Sequence, residues 1–387
     1  MAALTLFACT ISRGPVASGT RLTSPSPNPA DSKAADLRTR LDLLLGEHVM
    51  VIAKESSAAR RADEFAGYLH LLTTNGSDLT DLVRSALGST AAARFDTIWS
   101  AQNDNLVNYT IGLVTHDKTK SDADAASLVN GFVPQFSLFV ADTAQIAQGP
   151  IAQLVMQHTL QTKAVIDDQV GQRYPRLYAD LHIAYMQASQ IGDALAQRIA
   201  QKYPDKFPGS ASSRAVDLRV SINALLQEHA YLSTMATSAA VGGRSAEQAA
   251  AAGALIDNTN ALATIVKDLF GSSAAIQFDQ IWPAKNAAVI AYAVAPAGAA
   301  RQRARSQLTD VFVPRFSGFV QSWTGLEAFT PAVDSQVQGT ITVIDDQRSK
   351  SLAGVAADDR SAEASMELEA DLIAAGAIAK LPTRFNQ

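Results

Sequence analysis

Two Glu-His pairs are the residues of this sequence with the clearest capacity for chemistry. Glu47-His48 and Glu228-His229 each follow a run of leucine and other apolar residues, which predicts that they face the buried side of a helix. His158 lies in a further apolar stretch. Imidazole and carboxylate groups that converge from separate helices of a bundle form metal and cofactor sites. The candidate ligands of a transition metal are therefore Glu47, His48 and His158 in the first copy, and Glu228 and His229 in the second.

Each of these histidines has a second interpretation, a buried side chain satisfied by a neighbouring carbonyl or carboxylate. The polar residues that could complete a metal shell in the first copy are Asn75, Asp78, Gln102 and Asn103. In the second copy, Gln336 stands at the position of His158 and Lys285 at that of Gln102. A lysine there would repel a metal cation and could pair with Glu228 instead.

Motifs for catalysis are missing from the sequence. It contains no phosphate-binding loop, no dinucleotide-binding glycine pattern, no nucleophile elbow and no H-E-x-x-H string. The adjacent pairs Asp167-Asp168 and Asp345-Asp346 would point to different faces of a helix and do not form a catalytic dyad by themselves. The sequence thus assigns no catalytic residue, and a binding or structural role is favoured over an enzymatic one.

Several stretches of the chain occur twice, 178 to 183 residues apart. LGSTAAARFDTIW (87–99) matches FGSSAAIQFDQIW (270–282), and LLGEHVMVIA (44–53) matches LLQEHAYLST (225–234). FVPQFSLFV (132–140) and VIDDQ (165–169) have counterparts at 312–320 and 343–347. This period is too long for a solenoid repeat, so it predicts a tandem duplication of a whole domain.

The elements that would position these residues are helices. Apolar residues recur at spacings of three and four, alanine is abundant, and β-branched residues seldom cluster. We expect an all-α protein in which each copy is an up-and-down bundle of five or six helices, with a kink at Pro134 and Pro314. The predicted domains are an N-terminal segment (1–31), the first bundle (32–203), a linker (204–213) and the second bundle (214–387).

Composition restricts the function further. The net charge of −5 and the absence of a basic stripe argue against nucleic-acid binding. Cys9 is the only cysteine, so the monomer can form neither a disulfide nor a thiolate metal cluster. No run approaches the roughly 18 consecutive apolar residues of a spanning helix.

The N-terminal segment suggests attachment to a membrane. Leu6-Phe7-Ala8-Cys9 resembles the lipobox that ends a bacterial lipoprotein signal peptide, and the Ser/Pro-rich stretch after it would serve as a tether. This resemblance implies lipidation of Cys9 and a place in the bacterial cell envelope or outside the cell. The alternative is a disordered N-terminus with an incidental cysteine, and a cytoplasmic protein.

The order of Glu-His, a Trp-containing third helix and His158 is similar to that of uncharacterised bacterial helical-bundle proteins, a family that implies no reaction. In that pattern a further histidine follows the tryptophan, where Gln102 or Asn103 stands here. The function predicted first is an extracytoplasmic binding or structural protein whose partner is a protein or a small molecule. The alternatives are a metal- or cofactor-binding bundle, which could be redox-active, and an enzyme with its site between the two copies.

Overall fold

Helices make up all the regular secondary structure of residues 28–385, the part of the chain that the computed structural model describes. This confirms the all-α prediction. We call residues 28–203 the first half and residues 214–385 the second half. The first half comprises α1 (Lys33–Ala58), α2 (Ala62–Leu87), α3 (Ser89–Val114), α4 (Lys118–Ser127), a π-helical segment (Leu128–Phe132), α5 (Val133–Ala144), α6 (Gln148–Val170) and α7 (Tyr174–Lys202).

The second half presents the same kinds of element in the same order. It comprises α8 (Arg214–Val241), α9 (Ser245–Phe270), α10 (Ser272–Asp279), α11 (Trp282–Val294), α12 (Ala299–Ser306), a π-helical segment (Gln307–Phe312), α13 (Val313–Thr324), α14 (Thr330–Ser349), α15 (Val355–Lys380) and the short α16 (Pro382–Phe385). The predicted fourth helix of each copy is thus divided in two by a π-helical segment, which gives more helices per half than expected.

Local sequence explains where these helices begin and break. Ser32 and Ser213 cap α1 and α8, because the hydroxyl of each accepts a hydrogen bond from a backbone amide in the first turn. Pro134 and Pro314 lie at the start of α5 and α13, directly after the π-helical segments. Proline has no backbone N–H group, and this lack is tolerated in the first turn of a helix. Pro283 explains why one long helix of the first half corresponds to α10 and α11 in the second.

Several hydrophobic clusters contain residues of both halves. Tyr231 and Met235 of α8 are buried in the same cluster as Val49 and Met50 of α1. Val343 of the second half likewise lies in a cluster formed mostly by the first half. The two Glu-His helices therefore lie side by side at the centre of the molecule, and the division into two domains stays a prediction.

The segment between α7 and α8 packs against the first helix. Phe207 and Ala211 are buried, and the carbonyl of Pro208 accepts a hydrogen bond of 3.3 Å from the amide of Ala34. A second contact runs from Arg38, whose guanidinium donates to the carbonyl of Ala211 at 2.9 Å. These contacts hold the connection between the halves in place.

Matched ion pairs join the halves in a reciprocal manner. Arg38 and Arg219 occupy corresponding positions, and each bridges an aspartate of its own half to an aspartate of the other half. The pairs are Arg38 with Asp193 and Asp217, and Arg219 with Asp371 and Asp36. Such reciprocity is what a duplicated unit with an approximate two-fold axis would give. The duplication itself stays a prediction.

Candidate functional site

Glu47 does not face the histidines with which it was predicted to bind a metal. Its carboxylate accepts hydrogen bonds from Asn75 Nδ2 at 2.8 Å and from the Tyr231 hydroxyl at 3.0 Å, and it lies 3.1 Å from Arg360 Nε. Burial raises the pKa of Glu47, and the charge of Arg360 opposes that rise. Glu47 therefore belongs to the junction of α1, α2, α8 and α15.

His48 and His158 do come together, inside the first half. Their ring centroids are 6.0 Å apart, and the His48 ring lies 4.8 Å from that of Trp99. Both imidazoles are buried, which lowers the pKa of His48 to about 3 and that of His158 to about 4. Within residues 28–385, no ring nitrogen of either histidine has a hydrogen-bond partner, and neither has the side-chain amide of the buried Gln102.

His229 occupies the corresponding place in the second half, but its surroundings differ. Its Nδ1 lies 3.1 Å from Asn258 Oδ1, and its Nε2 lies 3.1 Å from Lys285 Nζ. Burial lowers the pKa of Lys285 to about 7, and the charge of the buried Glu369 opposes this shift. The expected pair of Lys285 with Glu228 is wrong, because the ammonium meets His229 instead.

Glu228 is held in another way. Its carboxylate lies 2.7 Å from His182 Nδ1 and accepts a hydrogen bond of 3.0 Å from Asn258 Nδ2. The hydrogen bond with Glu228 raises the pKa of His182. Across the described part of the chain, no three His, Cys, Asp or Glu side chains converge to hold a metal ion. Of the five residues predicted as metal ligands, His48 and His158 thus come together, whereas Glu47, Glu228 and His229 have other partners.

A pocket that the sequence did not indicate lies between the halves, beside Glu47. We call this cavity of about 270 Å³ the interhalf pocket. Its lining comes from α1, α2, α8 and α15 and consists of Arg40, Leu43, Leu44, Glu47, Asp78, Gln227, Arg360, Glu363, Ala364 and Glu367. Four carboxyl groups and two guanidinium groups therefore surround one solvent-connected space.

Two of these carboxyl groups form no salt bridge in the part of the chain that the structure describes. Glu363 and Glu367 hydrogen-bond to each other one helical turn apart on α15, and Gln227 Nε2 donates to Glu363 at 2.8 Å. Arg360 is engaged elsewhere, by Glu47 and Asp78. Among the residues described, no basic side chain forms a salt bridge with Glu363 or Glu367. Burial raises the pKa of both groups, and the proximity of Glu367 raises that of Glu363 further.

The corresponding surface on the other side of the molecule is filled. Tyr185 and Ser189 of α7 stand at the positions of Glu363 and Glu367 on α15. The Tyr185 hydroxyl donates to the carbonyl of Ala224 at 2.8 Å and to Gln227 Oε1 at 2.9 Å, and the ring is buried. The two carboxyl groups of the interhalf pocket are thus a feature of one side alone.

Comparison with protein-family models, with curated proteins and with solved structures finds no match for this chain. None of the helices of residues 28–385 is both long and apolar enough to cross a membrane. The lipidation predicted at Cys9 lies outside the described residues.

Proposed function

We propose that this protein is a non-enzymatic binding protein that holds a small organic cation in the interhalf pocket. The observation that carries the proposal is the pair Glu363 and Glu367, two largely buried carboxyl groups that line a cavity and form no salt bridge within residues 28–385. A buried carboxylate is costly unless a positive charge accompanies it. A ligand with an ammonium or guanidinium group would supply that charge.

The rest of the lining is consistent with such a ligand. Arg360 is already paired with Glu47 and Asp78, so its charge is balanced within the protein. Arg40 is exposed at the rim of the pocket. Leu43 and Leu44 offer apolar surface for a short alkyl chain. A linear amine or guanidine with a few methylene groups therefore matches the size and polarity of the pocket.

The cell-envelope location remains part of this proposal, and it rests on Leu6 to Cys9 alone. Labelled palmitate that is incorporated by the wild type and lost in Cys9→Ser would support it. Incorporation that is the same in both proteins would remove the membrane anchor.

The binding proposal is tested by isothermal titration of the full chain with 1,4-diaminobutane and agmatine. The control compound is 1,4-butanediol, which has the same length and no charge. A charge-assisted hydrogen bond contributes about 1.5–3 kcal/mol, so we expect Glu363→Gln and Glu367→Gln each to weaken binding by roughly tenfold or more. Asp358→Asn makes the same chemical change on α15 outside the pocket lining and should leave binding unchanged.

Two results would contradict the proposal. The first is that neither cation binds in the millimolar range or below. The second is that binding occurs but is the same for Glu363→Gln, Glu367→Gln and Asp358→Asn. Thermal unfolding of each variant shows whether the fold has survived the substitution.

A further inference from the structure

The polar cluster in the core of the first half calls for a ligand. His48 and Gln102 are completely buried and His158 nearly so, yet within residues 28–385 their side-chain nitrogen and oxygen atoms have no hydrogen-bond partners. Each buried polar group that is left unsatisfied costs about 1–3 kcal/mol. Three such side chains are an expensive arrangement unless something binds to them, and the rings of His48 and His158 lie 6.0 Å apart.

The second half shows which group stands at this point when both ring nitrogens of the histidine have partners. Lys285 occupies the position of Gln102, and its ammonium lies 3.1 Å from His229 Nε2 and 4.5 Å from the ring of Trp282. Trp282 corresponds to Trp99, which contacts His48 in the same manner. In the second half, the ammonium group of Lys285 thus occupies the position that corresponds to the space beside His48 and His158 in the first half.

The hydrogen bonds around His229 determine which of its two ring nitrogens faces the Lys285 ammonium without a proton. Asn258 Nδ2 donates to the carbonyl of Leu225 and to Glu228, so Asn258 Oδ1 is the acceptor for the Nδ1–H group of His229. The lone pair of His229 Nε2 is therefore directed at the ammonium.

The first half repeats only part of this arrangement. Asn75 Nδ2 donates to the carbonyl of Leu44 and to Glu47, as Asn258 Nδ2 does to Leu225 and Glu228. Within residues 28–385, however, neither Asn75 Oδ1 nor His48 Nδ1 has a hydrogen-bond partner. Both ring nitrogens of His48 are therefore available to a ligand.

We propose that His48, His158 and Gln102 bind one d-block metal ion at the position that the Lys285 ammonium takes in the second half. A metal–imidazole nitrogen distance of about 2.0–2.1 Å places a ring centroid roughly 3 Å from the ion, so two rings on one ion can lie up to about 6 Å apart. The observed centroid separation of 6.0 Å lies at this limit. The amide oxygen of Gln102 supplies a third, weaker ligand.

Charge and geometry favour monovalent copper for this site. All three ligands are neutral, and the position of Glu369 is taken by Ile191 in the first half. The cost of burying an ion rises with the square of its charge, so a divalent ion would cost roughly four times as much as a monovalent one. Two imidazoles at the widest separation also correspond to a nearly linear arrangement, and copper is among the metals that imidazole suits.

Because the site is closed, the test loads the metal during folding. The full chain is unfolded in guanidinium, refolded without oxygen with copper(I) or with zinc(II), desalted and analysed for metal. We expect one equivalent of copper in the wild type and less zinc. X-ray absorption should show nitrogen ligands and the edge of monovalent copper.

Substitutions that give one half the residues found at the corresponding positions of the other half provide matched controls. His158→Gln combined with Gln102→Lys gives the first half the residues of the second and should abolish metal binding, and His158→Gln alone serves if the pair does not fold. The reverse exchange, Lys285→Gln, Gln336→His and Glu369→Ile, should add a second equivalent.

The proposal is overturned if the refolded wild type carries neither metal, which would mean that water satisfies the cluster, or if His158→Gln retains it. Glu363→Gln should not change the metal content, so this test is independent of the interhalf pocket.

Discussion

Replacement of Glu55 by glutamine is expected to change how the stability of the protein depends on pH. Glu55 is completely buried on α1, and Thr110 donates a hydrogen bond of 3.2 Å to its Oε2. Its Oε1 has no partner among the described residues. Burial raises the pKa of Glu55 to about 8, from 4.5 for an exposed glutamate. The folded protein therefore keeps a proton on Glu55 that the unfolded chain loses.

The sign and size of the effect follow from these two pKa values. The contribution of protonated Glu55 to stability is complete below about pH 4.5 and is lost as the pH rises towards 8. One pKa unit corresponds to about 1.4 kcal/mol, so the wild type should lose about 2.5 kcal/mol between pH 5 and pH 7 through this group. Glu55→Gln stays neutral and should not show this loss.

Urea unfolding at pH 5, 6, 7 and 8 measures the effect as the difference between the wild type and Glu55→Gln. Other buried carboxyls whose pKa is raised, such as Asp42 and Glu369, act in both proteins and cancel in that difference. Glu327→Gln, at an exposed position, is the control for loss of one charge. A constant difference between wild type and Glu55→Gln from pH 5 to pH 8 would refute the reasoning.

Two further predictions concern a buried ion pair and the space around two glycines. Lys54→Met should destabilise the protein by about 3–5 kcal/mol, because it leaves the buried Asp359, now 2.5 Å from the Lys54 ammonium, without its cationic partner and with the Tyr68 hydroxyl as its remaining donor. Lys54→Met combined with Asp359→Leu installs the residues of the other half and should recover most of this loss. A double variant with a lower free energy of chemical unfolding than Lys54→Met would contradict the prediction. Gly192→Ala should cost about 1–3 kcal/mol, because its Cβ would clash with Asp42. Gly253→Ala, in open space within α9, should instead stabilise by up to about 1 kcal/mol, and equal melting temperatures for the two glycine variants would disprove the contact.

The fold class could be predicted because it depends on periodicity. The apolar stripe of α1 and the glycines at positions 88 and 271 indicated helices and their ends, and the structure has both. The π-helical segments before Pro134 and Pro314 were expected only as kinks. The shared core was not predicted, because local pattern does not reveal which helix covers an apolar face.

The candidate site was predicted only in part, for a reason visible in Glu47 and His48. Neighbouring residues on a helix point in different directions, so Glu47 reaches α15 while His48 reaches α6. The repeated residues do not indicate the interhalf pocket, because Glu363 and Glu367 have no counterpart in the other copy. The sequence could have indicated the pocket through these two positions, where the two copies carry different residues.

The most direct test of the interhalf pocket is the number of protons released when 1,4-diaminobutane binds. The heat of binding is measured near pH 6 in two buffers that differ in ionisation enthalpy. Because the buried pair Glu363 and Glu367 holds a proton that a cation should displace, we expect the heats to differ by the equivalent of about one proton per ligand in the wild type. In Glu363→Gln the difference should disappear. Binding with equal heats in both buffers, or no binding, would contradict the proposed function.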